Sequence, residues 1–207
     1  MMQTLAIECA TDVCSLALFA DDALLAAHHE VLGRGHAERI VPLIAALPDR
    51  GQAERILVSL GPGSFTGVRI GLATARALGV AWGAEVLGYP TLALLIATAR
   101  ARMADGPGPA MAACMAGGHG EWFVQPFDAQ GHATGPAGSL PPETAVQAYN
   151  ETWVVGSRAE DFVALRGFGE ALAILPDAAC APFLPRDAFT ADLAPIYGRG
   201  PDARLPG

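Results

Sequence analysis

The sequence is most constrained between residues 57 and 83, where an apolar segment runs into a glycine-rich bend and then into a long helical pattern. Small residues recur along this helix at positions 67, 71, 75, 79 and 83. A glycine inside a helix costs about 1 kcal/mol relative to alanine. A helix with several glycines on one stripe therefore predicts that another backbone or a ligand approaches it closely.

The residues of the bend leave two interpretations open. A strand, bend and helix in succession present free backbone N–H groups, where an anion or a nucleotide can bind. The candidate contacts are Gly61, Gly63, Ser64, Thr66 and Gly67. The alternative is a packing turn in which Phe65 plugs an apolar pocket. The bend is not a Walker loop, since it lacks Gly-Lys-Ser/Thr, and its glycine spacing is one residue too long for a dinucleotide fingerprint.

The composition predicts a globular chain and excludes several functions. Of the 207 residues, 52% are hydrophobic and 16% are charged, and the net charge is −8. Every basic residue is an arginine, which excludes a Schiff-base or phosphate-binding lysine. The acidic balance argues against RNA binding by this chain alone. No apolar run is long enough to span a membrane and no export signal is visible, so we expect a cytoplasmic protein with reduced cysteines.

The periodicities predict β-β-β-α-β-α-β-α over the first hundred residues, which calls for a mixed sheet with helices on its faces. Pro42 predicts a kink or a late start in the helix over 36–47. A Gly/Pro-rich linker at 104–109 divides the chain into an N-terminal lobe, 1–104, and a smaller part, 105–207. The second part reads as two strands, a helix over 142–149 and a strand over 152–155, followed by short elements. We expect it to be too thin for an independent lobe of the same kind.

The run from Gly61 to Gly71, GPGSFTGVRIG, resembles the signature of a bacterial family, the tRNA threonylcarbamoyladenosine biosynthesis protein TsaB, also called YeaZ or glycoprotease-like. Segments 5–18, 36–44 and 195–199 are similar to the first hairpin, the first helix and a C-terminal motif of that family. The match covers the first hundred residues well and the second half thinly. One departure is the stretch Ala116-Gly117-Gly118, where the family usually carries Asp-Ala-Arg.

The resemblance implies an α/β, actin-like ATPase (ASKHA) fold of two ribonuclease-H-like lobes with mixed sheets flanked by helices, the second lobe reduced. It implies a cytoplasmic, non-catalytic scaffold or activator subunit that pairs with its paralogue TsaD and works with the ATPase TsaE. The complex makes N6-threonylcarbamoyladenosine beside the anticodon of tRNAs reading ANN codons. TsaD carries the catalytic metal, and tRNA is met only through the complex. We expect a homodimer when the chain is alone, and no cofactor or metal in it, with ATP as the alternative ligand.

The two N-terminal helices, roughly residues 36–48 and 66–82, are the expected interface with TsaD or with a second copy. The expected contacts are His36, Arg39, Ile40, Leu43, Ile44, Val68, Arg69, Leu72 and Arg76. Arg69 and Arg76 stand two helical turns apart and share a face, which indicates either an ionic rim of the interface or a solvated helix face.

The first alternative function is an ATP-binding phosphotransferase or hydrolase of the same fold. It would use the bend together with a vestigial phosphate loop at Glu8, Thr11 and Asp12. The alternative to such a phosphate loop is a purely structural hairpin in which the Asp12 side chain accepts hydrogen bonds from the turn amides. No Ser-His-Asp or Cys-His set follows from the spacing, and His36 has Ile40 at i+4, so that helix face cannot chelate a metal. The second alternative is a stand-alone RNA-binding module.

Overall fold

The computed structural model describes residues 1–103 and 108–198, and within them two five-stranded sheets carry five α-helices. The first half comprises β1 (Gln3–Glu8), β2 (Val13–Ala20), β3 (Ala23–Val31), α1 (His36–Ala45), β4 (Arg55–Ser59), α2 (Phe65–Trp82), β5 (Glu85–Tyr89) and α3 (Thr91–Arg102). The second half comprises β6 (Met111–Ala116), β7 (Trp122–Phe127), β8 (Gly138–Leu140), α4 (Pro142–Ala148), β9 (Trp153–Val155), α5 (Ala159–Arg166) and β10 (Glu170–Leu172). None of the described helices is both long and apolar enough to cross a bilayer.

The two sheets have the same topology. Their strand orders are β3-β2-β1-β4-β5 and β8-β7-β6-β9-β10, each with an antiparallel meander followed by two parallel strands. The predicted α/β fold of two lobes with mixed, helix-flanked sheets and a reduced second lobe is therefore confirmed. The prediction that the second half is too thin for a lobe of the same kind is wrong. Its strands β8, β9 and β10 have only three residues each, too few to display a period of two.

Helix α2 begins at the glycine-rich bend because Ser64 caps it: the Ser64 hydroxyl accepts the Gly67 N–H at 3.3 Å. The helix ends at Gly83, which adopts φ +67°. Helix α1 begins at His36 and continues through Pro42, so the predicted late start is wrong. Both helices pack against the first sheet.

Helix α3 lies between the two sheets and is buried from Thr91 to Ala99. Its cluster combines Ala17 and Leu57 of the first sheet with Met111 and Phe123 of the second. Residues 104–107, which include most of the predicted linker, lie outside the described residues, so the predicted boundary stays a prediction. Downstream of β10, a 3-10 helix at Ala178–Phe183 returns to contact α3 and β2 in the first lobe.

Candidate functional site

A cavity of about 860 Å³ opens between the lobes, where the β1–β2 and β6–β7 turns both contribute to its walls. The first lobe supplies residues 10–12 and 63–65, and the second supplies residues 115–119. Phe123, Leu175 and Tyr197 add apolar surface. The Ala116-Gly117-Gly118 segment that departs from the family pattern therefore lies in the wall opposite the first hairpin.

The residues of the bend are divided between this cavity and the interior. Gly63 and Ser64 line the cavity, Gly61 and Gly67 are buried, and Thr66 is exposed but outside the cavity lining. The Ser64 N–H donates to the Ala10 carbonyl at 2.7 Å. The Ser64 N–H is thus already paired within the chain, although the anion or nucleotide interpretation requires it to be free for a ligand.

The close approach predicted by the glycine stripe is to the chain's own hairpin. A Cβ atom on Gly63 would lie 2.0 Å from the Ala10 carbonyl oxygen, and one on Gly67 would lie 2.0 Å from the Cys9 carbonyl oxygen. Real Cβ atoms essentially never come that near. These two glycines therefore serve the contact between α2 and the end of β1, not contact with a partner protein.

Phe65 does not plug a pocket, so that part of the packing-turn alternative is wrong. Its ring is 54% exposed at the cavity rim and lies 5.4 Å from the ring of Tyr197, centroid to centroid. The guanidinium carbon of Arg69 sits 3.6 Å above the Phe65 ring, a cation–π arrangement. An aromatic pair thus borders the cavity on the side of α2.

Arg69 and Arg76 both bind the segment that follows the second lobe. Arg69 donates to the Tyr197 hydroxyl at 3.3 Å, and Arg76 donates to the Leu193 carbonyl at 3.1 Å. Ile196 adds a backbone hydrogen bond to the Leu60 carbonyl at 2.7 Å. The two arginines hold this segment along α2, a role that neither sequence interpretation anticipated. Arg199, the last residue of the matching family motif, lies outside the described residues.

The three phosphate-loop candidates do not come together. Thr11 and Asp12 line the cavity, but Glu8 is fully buried beneath the hairpin, where its Oε1 accepts the Ala10 N–H at 2.6 Å. Burial raises the pKa of Glu8 to about 7, against the opposing effect of the Ala10 N–H and nearby hydroxyls. In the turn between β1 and β2, the Val13 N–H donates to the Thr11 hydroxyl at 3.3 Å. The backbone carbonyl of Asp12 accepts the N–H groups of Leu32 and Gly33, which follow β3.

Five of the nine expected interface residues are buried within the chain. They are His36, Ile40, Ile44, Val68 and Leu72. The prediction that these five residues contact a partner is wrong, because they lie on the inner faces of α1 and α2, which pack against the first sheet. Arg39 is exposed and pairs with Glu30 at 2.7 Å, and Leu43 is half-buried.

A Ser, His and Asp cluster that the sequence did not predict lies beside the first sheet. The Ser15 hydroxyl is 3.2 Å from both His29 Nδ1 and Asp177 Oδ1. A catalytic triad engages both imidazole nitrogens, whereas here His29 Nδ1 faces Ser15 and also lies 3.7 Å from Asp177. Ser15 is fully buried and accepts the Ala178 N–H at 2.9 Å. The cluster therefore holds the 3-10 helix against the sheet. Ser15 and Asp177 are 162 residues apart in the sequence, so motif spacing could not reveal the cluster.

Replacing Ser15 by alanine is expected to lower the free energy of unfolding by about 1–2 kcal/mol, because the buried Ala178 N–H loses its acceptor. Replacing His29, which is partly exposed, by alanine is expected to change it by less than about 0.5 kcal/mol. Urea unfolding of both variants measures the difference. A larger loss for His29→Ala than for Ser15→Ala would contradict the structural role of Ser15.

No three His, Cys, Asp or Glu side chains gather as a metal-binding group within residues 1–103 and 108–198.

Comparison with known proteins gives a matching family model and several curated relatives. The family model for TsaD, tRNA N6-adenosine threonylcarbamoyltransferase, matches residues 28–138. The TsaB protein of Escherichia coli (strain K12) is 43% identical over 98 residues, covering 44% of this chain and 41% of that protein. The TsaB protein of Bacillus subtilis (strain 168) is 34% identical over 90 residues, covering 41% of this chain and 38% of that protein. The match thus spans about two fifths of the length of these relatives.

Among solved structures, YeaZ from Pseudomonas aeruginosa superposes with a TM-score of 0.78 at 26% identity, covering 95% of this chain and all of that chain. An uncharacterized protein with similarity to peptidase YEAZ, also from Pseudomonas aeruginosa, gives 0.79 at 27% identity and 96% coverage. These matches confirm the resemblance to TsaB (YeaZ) and extend the likeness in fold to the second half of the chain.

Proposed function

The chain belongs to the family of TsaD, the tRNA N6-adenosine threonylcarbamoyltransferase, and from this membership we propose that it is a non-catalytic scaffold or activator subunit of tRNA threonylcarbamoyladenosine synthesis. Its partner is a TsaD paralogue, assisted by the ATPase TsaE, and tRNA is engaged only through this complex in the cytoplasm. In the absence of TsaD, two copies of the chain pair through the same surface. The chain alone needs no cofactor.

The observation that carries the proposal is the outer face of α2, defined here by Ala73, Ala77 and Val80. All three are exposed, Val80 by 87%. Small side chains at positions 73 and 77 of one helix let a second helix approach closely. An exposed apolar stripe of this kind along a helix fits a helical partner better than solvent.

The position of Glu8 also supports a role without catalysis. A carboxylate that directs magnesium or a proton must reach the cavity, and Glu8 is enclosed by the hairpin with one oxygen held by a backbone N–H. Of the carboxylates on described residues, only that of Asp12 contributes to the cavity wall.

A charged residue on the outer face is expected to weaken the complex with TsaD. Ala77→Arg introduces a guanidinium that must lose its water in the interface, and we expect the dissociation constant to rise at least tenfold, about 1.4 kcal/mol. The matched control is Ala101→Arg, an exposed alanine on α3 away from this face. Light scattering and titration calorimetry with purified TsaD measure both variants.

Equal binding of Ala77→Arg and the native chain would remove the proposed interface. The functional counterpart is threonylcarbamoyladenosine formation on tRNA by TsaD and TsaE with and without this chain. We expect product only when the chain is added, and less product with Ala77→Arg. Equal product without the chain would overturn the activator role.

The alternative function, an ATP-binding phosphotransferase or hydrolase, is favoured by one observation, the roomy cavity between the lobes. Calorimetry of the chain with ATP and magnesium separates the two proposals. Micromolar binding followed by ADP release would favour the enzyme, while the scaffold proposal expects neither. A salt-dependent shift of tRNA by the chain alone would favour the RNA-binding alternative, which the net charge of −8 opposes.

A further inference from the structure

Two thiols face each other across the end of the first hairpin. Cys9 directly follows β1 and Cys14 is the second residue of β2, and their sulfur atoms lie 3.8 Å apart. Glu8 pairs with Ser15 in the antiparallel register, so the next position sets Cys9 opposite Cys14. Directly opposed residues in such strands have Cα atoms about 4.5–5.5 Å apart. That separation falls within the range of about 4.4–6.8 Å that disulfides require.

We propose that Cys9 and Cys14 form a reversible disulfide that locks the β1–β2 hairpin under peroxide stress. The Cys14 thiolate attacks hydrogen peroxide, the O–O bond breaks, and Cys14 becomes a sulfenic acid as hydroxide leaves and takes up a proton. The Cys9 sulfur then attacks the Cys14 sulfur, and water leaves with the Cys9 proton. Two thiols and one peroxide thus give one disulfide and two waters, the thiols losing two electrons to the peroxide.

The surroundings of the two thiols give them different roles. The hydrogen bond from Cys9 lowers the pKa of Cys14, which favours its thiolate as the attacking group. The same contact together with burial raises the pKa of Cys9, which keeps it a thiol until the second step. Both side chains are almost completely buried, so a small oxidant such as hydrogen peroxide suits this site better than a bulky disulfide.

The hairpin that would be locked is the one that shapes the cavity. Its tip carries Thr11 and Asp12 into the cavity wall, and its Ala10 carbonyl accepts the Ser64 N–H at the start of α2. A crosslink between Cys9 and Cys14 closes a ring around this tip. The oxidised chain is therefore expected to exchange the amide hydrogens of residues 10–13 more slowly than the reduced chain.

The other two cysteines are internal controls. Cys114 is buried in the core of the second lobe, beneath Phe162 of α5, and burial raises its pKa. Cys180 is half-buried in the 3-10 helix, and burial raises its pKa as well. Neither is expected to join the disulfide.

The test uses the full chain, reduced, freed of reductant and then treated with hydrogen peroxide. Intact mass is measured first; the remaining thiols are then alkylated after denaturation, and peptide mapping follows. We expect a loss of about 2 Da, one linked peptide containing Cys9 and Cys14, and alkylation of Cys114 and Cys180. Dithiothreitol should restore the lost mass. The variants Cys9→Ser and Cys9→Thr should not show the loss, while Cys180→Ser should keep it.

Two results would overturn the proposal. One is that Cys9 and Cys14 stay fully alkylated at every peroxide dose that leaves the chain folded, including a dose that oxidises Cys180. The other is a disulfide that includes Cys114 or Cys180, or one that persists in a folded Cys9→Thr variant. Having two substitutions at position 9 keeps the test decisive if one of them fails to fold.

Discussion

Gly67→Ala is expected to lower the free energy of unfolding by about 3 kcal/mol or more, whereas Gly71→Ala, one turn later on α2, is expected to raise it by as much as about 1 kcal/mol. The added methyl at position 67 would lie 2.0 Å from the Cys9 carbonyl oxygen, so the helix or the hairpin has to move. At position 71 the nearest atoms are 3.6 Å away, an ordinary contact. Only the gain in helix propensity then remains.

Urea and thermal unfolding of the two variants measure this difference. For a chain of this length, 1 kcal/mol shifts the Tm by about 2–4 °C, so the variants should melt on opposite sides of the native protein. Gly71→Ala is the matched control, because it adds the same methyl to the same helix face. If both variants melted close to the native protein, the contact between α2 and the hairpin would not be the reason for the glycine at position 67.

Glu8→Gln is expected to stabilise the protein by about 3 kcal/mol at pH 8. The native chain is expected to lose stability as the pH rises from 4.5 to 7, and the substitution should remove most of that loss. Burial raises the pKa of Glu8 from its ordinary 4.5 to about 7, so the folded chain holds this proton more tightly than the unfolded chain. Stability therefore falls as the pH rises through this interval, because the folded state must accept a buried carboxylate. The size follows from about 1.4 kcal/mol for each pH unit of difference.

The amide of glutamine keeps an oxygen for the Ala10 N–H and offers its NH₂ group to the hydroxyls of Ser59 and Thr91, which lie near the carboxyl. Unfolding by urea at pH 5 and pH 8 measures the effect. Glu38→Gln, an exposed change on α1, is the control and should shift stability by less than about 0.5 kcal/mol at either pH. Equal stability of Glu8→Gln and the native chain at pH 8 would contradict the raised pKa of Glu8.

The sequence predicted the elements of the first lobe well, because each of them shows its period locally. The helix from residue 65 to residue 82 follows a capping serine and ends at a glycine, and each signal lies directly beside the helix end that it marks. The second lobe was underestimated because β8 and β10 are three residues long and α5 has eight. Elements of that length are specified mainly by their packing on α3 and on one another, which a single sequence does not display.

The site was predicted in part. Gly63, Ser64, Thr11 and Asp12 do line one cavity, although they come from two separate turns. The predicted apolar interface was wrong at four positions, because a helical stripe of large apolar residues indicates burial but not whether its own sheet or a partner covers it. The four positions are Ile40, Ile44, Val68 and Leu72. The outer face proposed instead consists of small residues and Val80, which periodicity alone does not distinguish from a solvated face.

The sequence by itself determined that a strand, a glycine bend and a long helix follow one another, and that something must approach the helix closely. Local propensity and spacing suffice for both, since each involves residues within a few turns of one another. Only the tertiary structure decided that the approaching group is the carbonyl of Cys9, and that Ser15 meets Asp177 across 162 residues. The first contact depends on how α2 packs on the first sheet, and the second on how the 3-10 helix returns to that sheet. Separations of that length leave no periodic trace in the chain.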